Sequence, residues 1–193
     1  MKNLLFFSHN QKKILEVESI FYHKGVKIHN LRSFEKIKEP YESGVSFAEN
    51  AKIKSSFGLK NFEIPCFADD SGICVEALKN KPGIKSKRFL EKFTSNESAF
   101  EHIISNVIKT KNNKAFFKTA ICLSIKKNYH IVFEGRINGR ISTKPRGLNG
   151  FGYDPVFIPD GYKKTFSEMT LVEKNKISHR KIALAKMESF LFN

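Results

Sequence analysis

The chain has 193 residues, 40% hydrophobic and 27% charged, which suits a single globular domain, or one domain of two lobes, with a sizeable core. It has no run of about 18 apolar residues, which excludes a membrane-spanning helix, and the apolar run Leu4-Leu5-Phe6-Phe7 is too short for a secretory signal, so a cytoplasmic protein is expected. Thirty-four Lys and Arg against 19 Asp and Glu give a net charge of +15, which favours anionic partners, but no basic run exceeds two residues and no aromatic-rich basic segment points to nucleic acid as the partner.

In chain order, Lys2–Ser8 is an apolar run ending in turn formers and predicts a buried strand. Gln11–Tyr22 predicts a helix, with Ile14, Leu15, Val17, Ile20 and Phe21 near one stripe. Val26–Leu31 is a second strand. Ser46 suits the N-cap of a helix running to Lys60, with Glu49 at capping-box spacing. Pro65–Asp69 predicts a third strand, broken by a polar turn at Asp69-Asp70-Ser71-Gly72. Asn96–Thr110 keeps the helical rhythm through Phe100, Ile103, Ile104, Val107 and Ile108. Ala115–Ile125 alternates as a strand, and Tyr129–Gly135 answers it across Lys126-Lys127-Asn128 as a hairpin. A Gly- and Pro-rich stretch occupies Gly135–Gly161, and Ile177–Leu191 predicts the last helix. Strands alternating with helices, followed by a hairpin, predict an α/β fold: a mixed, twisted sheet flanked by helices. Three cysteines, Cys66, Cys74 and Cys122, each lie in an apolar run and read as buried, reduced thiols.

Five segments carry chemistry. Ser8-His9-Asn10-Gln11-Lys12-Lys13 lies between a strand and a helix, where backbone N–H groups and the helix dipole suit a phosphate; a plain helix cap by Ser8 or Asn10 is the other reading. Asp69-Asp70 places two carboxylates side by side, a repulsion that a hard cation such as Mg²⁺ relieves; a surface turn is the alternative. Gly72 would let the backbone approach a ligand, and Glu42 or Glu39 could add a further oxygen ligand. Asn50 and Lys54, four residues apart, share a helix face and could point at phosphates. Phe151-Gly152-Tyr153-Asp154 could stack on and hydrogen-bond a flat ring, or be loop punctuation. Lys174, His179 and Arg180 could form a donor-rich wall suited to an acceptor such as a purine 6-oxo group, or be exposed charges at a helix start.

In this order the segments closely resemble the inosine triphosphate pyrophosphatase family. Ser8-His9-Asn10-Gln11-Lys12-Lys13 is similar to that family's Thr-x-Asn-x-x-Lys, with Ser keeping the hydroxyl. Glu42-Ser43-Gly44-Val45-Ser46-Phe47-Ala48-Glu49-Asn50-Ala51 and Ala68-Asp69-Asp70-Ser71-Gly72-Ile73 match two further blocks. Pro82-Gly83-Ile84-Lys85-Ser86-Lys87-Arg88-Phe89 matches another, departing at Lys87 and Phe89, while Phe151-Gly152-Tyr153-Asp154-Pro155 and Ser178-His179-Arg180 match unchanged.

The resemblance implies an elongated two-lobed fold with the active site in the cleft between lobes, a homodimer, and Mg²⁺-dependent hydrolysis of ITP, dITP and XTP to the monophosphate and pyrophosphate. It implies Asp70 as general base and metal ligand, with Glu42 as the second metal ligand. It places Ser8, His9, Asn10, Gln11, Lys12, Lys13, Lys54 and Ser71 on the triphosphate and ribose. It places Phe151, Gly152, Tyr153, Asp154, Lys174, His179 and Arg180 around the base.

Overall fold

A computed structural model describes residues 3–22, 25–34 and 37–192; Lys2 of the predicted first strand lies outside them. Among the described residues, seven strands form one mixed sheet in the order β2-β1-β3-β5-β6-β7, with β4 paired to β3 off this path. The strands are β1 (Asn3–Phe6), β2 (Lys27–Asn30), β3 (Cys66–Val75), β4 (Lys81–Pro82), β5 (Lys114–Lys126), β6 (Tyr129–Ile141) and β7 (Phe157–Pro159). β1 is parallel to β2 and β3, whereas β4 on β3 and β7 on β6 are antiparallel. The helices are α1 (Gln11–Phe21), α2 (Phe47–Phe62), α3 (Ser86–Leu90), α4 (Asn96–Thr110), α5 (Leu171–Ile177) and α6 (His179–Phe192). No described helix is long and apolar enough to cross a membrane.

The chain divides into two compact units, residues 1–70, 119–135 and 180–193, and residues 71–118 and 136–179. In the first, strand alternation sorts the core into two faces. Leu4, Phe6 and Phe67 pack with Ile14, Val17 and Ile20 of α1 and Ala183, Leu184 and Met187 of α6. Leu5, Phe7, Cys66 and Ala68 point the other way, against Phe57, Leu59 and Phe62 of α2. Gly58 sets the close approach of α2, since a Cβ there would lie 2.4 Å from Cys66 Sγ and 2.8 Å from the Phe7 ring. Asn50, Lys54 and Gly58 are spaced four apart, so the face that Gly58 presses onto the sheet carries the two polar side chains with it.

In the second unit, α4 lays Phe100, Ile103, Ile104 and Val107 on Ile73, Val75, Ala115 and Phe117, with Val156, Phe157 and Phe166 completing the cluster. Ser95 and Ser98 close a capping box at the start of α4.

Three expectations change. The predicted turn at Asp69–Gly72 is strand: β3 runs unbroken, and all of it but Ser71 is buried. Apolar residues on both sides, Cys66-Phe67-Ala68 and Ile73-Cys74-Val75, hold it in the sheet interior. Second, β6 continues six residues into the Gly- and Pro-rich stretch, and β7 lies within that stretch too. Third, Gly72 serves packing rather than a ligand: a Cβ there would meet Gly83 O at 2.2 Å and Ser86 Oγ at 2.3 Å. The Pro82–Ser86 segment is thereby locked on β3, with Ser86 Oγ accepting from Ile73 N at 3.0 Å and donating to Gly83 O at 2.6 Å. The cysteines are free and buried as expected, and burial raises the Cys74 thiol to about 11.

Gly72→Ala is expected to lower stability by about 1–3 kcal/mol, the range of an overpacked core site. A urea denaturation midpoint measures it; an unchanged midpoint would show that the Gly83–Ser86 turn gives way without cost.

Candidate active site

Adjacent residues of a strand point to opposite faces, so Asp69 and Asp70 do not share a site. Asp69 follows Phe67 to the α1/α6 face. There its Oδ1 accepts from Lys13 Nζ at 3.0 Å, and its Oδ2 accepts from Arg180 Nη2 at 2.9 Å and Nε at 3.2 Å. Arg180 also donates to Glu16, and Arg180, Asp69 and Glu16 are each no more than 2% exposed. Burial alone would push the Asp69 carboxyl up, but the Lys13 and Arg180 charges outweigh it and hold it well below the ordinary carboxylate range. On Lys13, burial dominates and lowers the ammonium; Asp69 opposes the shift, while Arg180 and Lys54 add to it.

Asp70 follows Ala68 to the α2 face. Its Oδ2 accepts from Asn50 Nδ2 at 3.1 Å, and Lys54 Nζ lies 3.9 Å from Oδ1. Lys54 donates to Glu42 at 2.8 Å, so one ammonium serves both carboxylates. Burial raises the Asp70 carboxyl above its ordinary value, and the Glu42 charge adds to this against the pull of Lys54 and the Asn50 hydrogen bond. Lys54 is raised: burial disfavours its charge, but Asp70, Asp69 and Glu42 together prevail. Between the two candidate glutamates, the structure puts Glu42 beside Lys54, whereas Glu39 is exposed. The pair reading of Asp69-Asp70 as joint cation ligands is therefore corrected: opposite orientation separates the charges, and each has its own partners. Asn50, expected to face phosphate, is fully buried and spans Asp70 and the Gly44 N–H instead.

The Ser8–Lys13 segment is ordered as a cap. Asn10 accepts from Lys12 N at 3.0 Å and Lys13 N at 3.2 Å, while Ser8 Oγ accepts from Asn10 N. Those amides are thus taken, and an anion here would meet the positive end of α1 and side chains instead. Lys12 is exposed, Gln11 half-buried, and Ser8 and His9 open on a small pocket with Ile14, Leu31, Arg32 and Phe34.

In the second unit, Asp154 organises a separate group. Its Oδ2 accepts from Lys174 Nζ at 2.6 Å and from Phe151 N at 2.8 Å. The Lys174 ammonium lies 4.6 Å from the centre of the Phe151 ring. Gly150 admits this carboxylate, since a Cβ there would fall 2.2 Å from Asp154 Oδ2. Phe151 and Gly152 are half-buried, but the Tyr153 ring belongs to the apolar core, its hydroxyl donating to Ser86 O at 2.8 Å. Stacking of a ligand between two aromatics is therefore confined to Phe151. His179 lies flat on Phe117, with centroids 4.8 Å apart and planes at 8°. Lys174, His179 and Arg180 are buried, not exposed charges at a helix start. Arg180 turns to Asp69 and Glu16.

The chain matches the Ham1 family over residues 4–190. It belongs to that family. Similar proteins include a dITP/XTP pyrophosphatase of Halalkalibacterium halodurans, 36% identical over 99% of this chain and 100% of that protein. Another, of Aquifex aeolicus, is 38% identical over 98% of this chain and 96% of its own. Among solved structures, the HAM1 protein from Coxiella burnetii superposes with a TM-score of 0.88 at 31% identity, covering 99% of this chain and 98% of that one. The Staphylococcus aureus Ham1 protein gives 0.86 at 33% identity, covering 98% of each.

In this Ham1 protein the motif blocks do not show Glu16 or the structural task of Asp69. Glu16 had a signal: with Lys13 and Ile20 it keeps the i, i+3, i+7 spacing of the buried face of α1.

Arg180→Leu removes a countercharge shared by the buried carboxylates Asp69 and Glu16, and a loss of about 3–5 kcal/mol is expected on breaking such a group. Because the folded Asp69 carboxyl is depressed, its contribution is present above the ordinary aspartate value of about 4 and disappears as pH falls through the folded value. Chemical denaturation of wild type and Asp69→Asn across the acid range checks this: the variant's stability is expected to fall less steeply below that value.

Proposed function

We propose that this protein hydrolyses ITP, dITP and XTP at the α–β phosphoanhydride, releasing the nucleoside monophosphate and pyrophosphate. The observation that carries the reading is the Asp70 carboxyl, raised by burial and set beside Lys54 and Glu42. The printed activity of relatives that align along nearly the whole chain supports it.

A carboxylate whose affinity for a proton is raised toward neutrality suits a general base. Asp70 would orient a water and take its proton as the water oxygen bonds to phosphorus. The phosphoanhydride bond then breaks, and its electrons leave with pyrophosphate. Lys12 and Lys13, at the positive end of α1, would hold the triphosphate, and Lys54 would counter the charge developing near Asp70.

The donor set around Asp70 fits a divalent cation. Asp70 and Glu42 supply two hard oxygen groups on either side of the Lys54 ammonium. Among the described residues no three His, Cys, Asp or Glu side chains gather into a metal cage; one or two carboxylates with substrate phosphates suffice for Mg²⁺. Bound by Asp70 and Glu42, Mg²⁺ would neutralise phosphate charge and polarise the phosphoryl group.

Base selection is assigned to Phe151, Asp154, Lys174 and His179. A 6-oxo group accepts a hydrogen bond, while an amino group at that position leaves donors unmatched. Gly152 and Ser71 complete the proposed contacts, with Ser71 the one position of β3 that is not fully buried. A homodimer and residence in the cytoplasm belong to the same reading.

The test is pyrophosphate release from a panel of nucleoside triphosphates with Mg²⁺. Turnover of dITP, ITP and XTP is expected, with ATP disfavoured by several orders of magnitude. Asp70→Asn is expected to cut turnover by at least about 100-fold, the lower range of acid–base catalysis, with an unchanged circular dichroism spectrum. Near wild-type rates in that variant would remove Asp70 from the chemistry. His179→Ala is expected to narrow the ITP-over-ATP ratio; an equal fall in both rates would place base selection elsewhere.

A further inference from the structure

We propose that Asn50 is a positioning residue for the Asp70 site, tying the Glu42–Gly44 segment and Asp70 to α2 in one fixed arrangement; this rests on the hydrolase reading above. Asn50 is 0% exposed, so both ends of its amide need partners inside the protein. Oδ1 accepts from Gly44 N at 2.9 Å, and Nδ2 donates to Asp70 Oδ2 at 3.1 Å. The Gly44 N–H can only donate and the carboxylate can only accept, so the amide has one orientation that satisfies both.

Its neighbours are cut to the same fit. At Gly44 a Cβ would lie 2.7 Å from Asn50 Oδ1 and 2.7 Å from Glu49 Cβ, so a side chain there would force the amide away. Val45 N donates to Glu49 Oε2 at 2.8 Å, and Ser46 caps α2 through Glu49 N, so the segment enters the helix by a closed set of hydrogen bonds. One turn further along α2, Lys54 holds Glu42 and lies near Asp70. Two side chains on one helix face thus each join Glu42 or its segment to Asp70: Lys54 by charge, Asn50 by paired hydrogen bonds. A charge attraction sets distance but little direction. The Asn50 hydrogen bonds add direction at Asp70, and through Gly44 they hold the backbone two residues from Glu42.

Three substitutions separate this role from simple core filling. Asn50→Leu keeps the branching of the side chain at Cγ and removes both hydrogen bonds. Asn50→Asp keeps the acceptor for Gly44 but sets a carboxylate against Asp70. Gly44→Ala leaves Asn50 in place and displaces its amide. Each is compared with wild type for kcat and KM on dITP, for Tm, and for Mn²⁺ binding to the nucleotide-free protein by electron paramagnetic resonance.

In all three variants kcat is expected to fall at least about 100-fold, the scale of a displacement near 1 Å at a reacting group, with KM changed little. Mn²⁺ affinity in Asn50→Leu is expected to drop about tenfold or more, as when a group supporting a metal ligand is lost. Wild-type kcat and Mn²⁺ affinity in Asn50→Leu, whatever its Tm, would overturn the proposal. So would an Asn50→Asp variant with wild-type kcat, since the Gly44 anchor alone would then suffice. If Asn50→Leu fails to fold, Gly44→Ala decides by the same measurements. If wild type turns over no nucleotide, the hydrolase reading fails by itself, and Mn²⁺ affinity still reports on Asn50.

Discussion

Two carboxylates stand side by side on β3, in the interior of the sheet, and each needs its own countercharge where water does not reach. Strand geometry sends them to opposite faces, so each makes its hydrogen bonds to different side chains. On one face Asp69 draws in Lys13 from α1 and Arg180 from α6. On the other, Asp70 meets Asn50 and Lys54 from α2. The three helices packed on the first unit's strands are thereby set in register by polar contacts as well as by the apolar clusters around them. A shift of β3 by one residue would exchange the two carboxylates and leave each facing the wrong partners.

Such an arrangement is not the most stable way to fill this space. Replacing a buried ion pair by apolar groups of similar volume is often neutral or stabilising, whereas removing one partner is costly. Arg180, Asp69 and Glu16 thus contribute definition more than net stability: they leave one rotamer at Asp69 and one path for β3 beside it. The same holds in the second unit, where Lys174 on Asp154 and the Phe151 ring fixes a turn that Gly150 alone would leave loose.

Much of this was legible in the residues. The α2 and α4 helices, the first two strands and the β5–β6 hairpin follow from periodicity and caps, because their apolar faces are regular. The motif blocks pointed to Asp70, Glu42 and Lys54, which the structure brings together. What could not be read was direction. Asp69-Asp70-Ser71-Gly72 has the composition of a turn, and only its place in the sheet interior makes it a strand. Tyr153 and Arg180 sit among plausible contact residues in sequence, yet one turns into the core and the other across to Asp69. Gly72 illustrates the same limit: its need for space is set by Gly83 and Ser86, which no local pattern announces.

The two aspartates of β3 are shifted in opposite directions, and this difference fits the tasks proposed for them. Asp69 and Glu16 are met by Lys13 and Arg180, two negative groups by two positive ones, within a buried cluster. On that face the aspartate is held ionised by its ion pairs. Asp70 and Glu42 flank Lys54, and burial raises the Asp70 carboxyl above its ordinary value against the pull of Lys54 and Lys13. Hard oxygen groups suit a cation, and a carboxyl raised above its ordinary value accepts a proton more readily. A carboxylate held ionised by its ion pairs accepts one only by weakening them. Of the two adjacent aspartates, Asp70, raised by burial, is therefore the one proposed for the chemistry, and Asp69, held ionised by Lys13 and Arg180, ties the strand to α1 and α6 beside it.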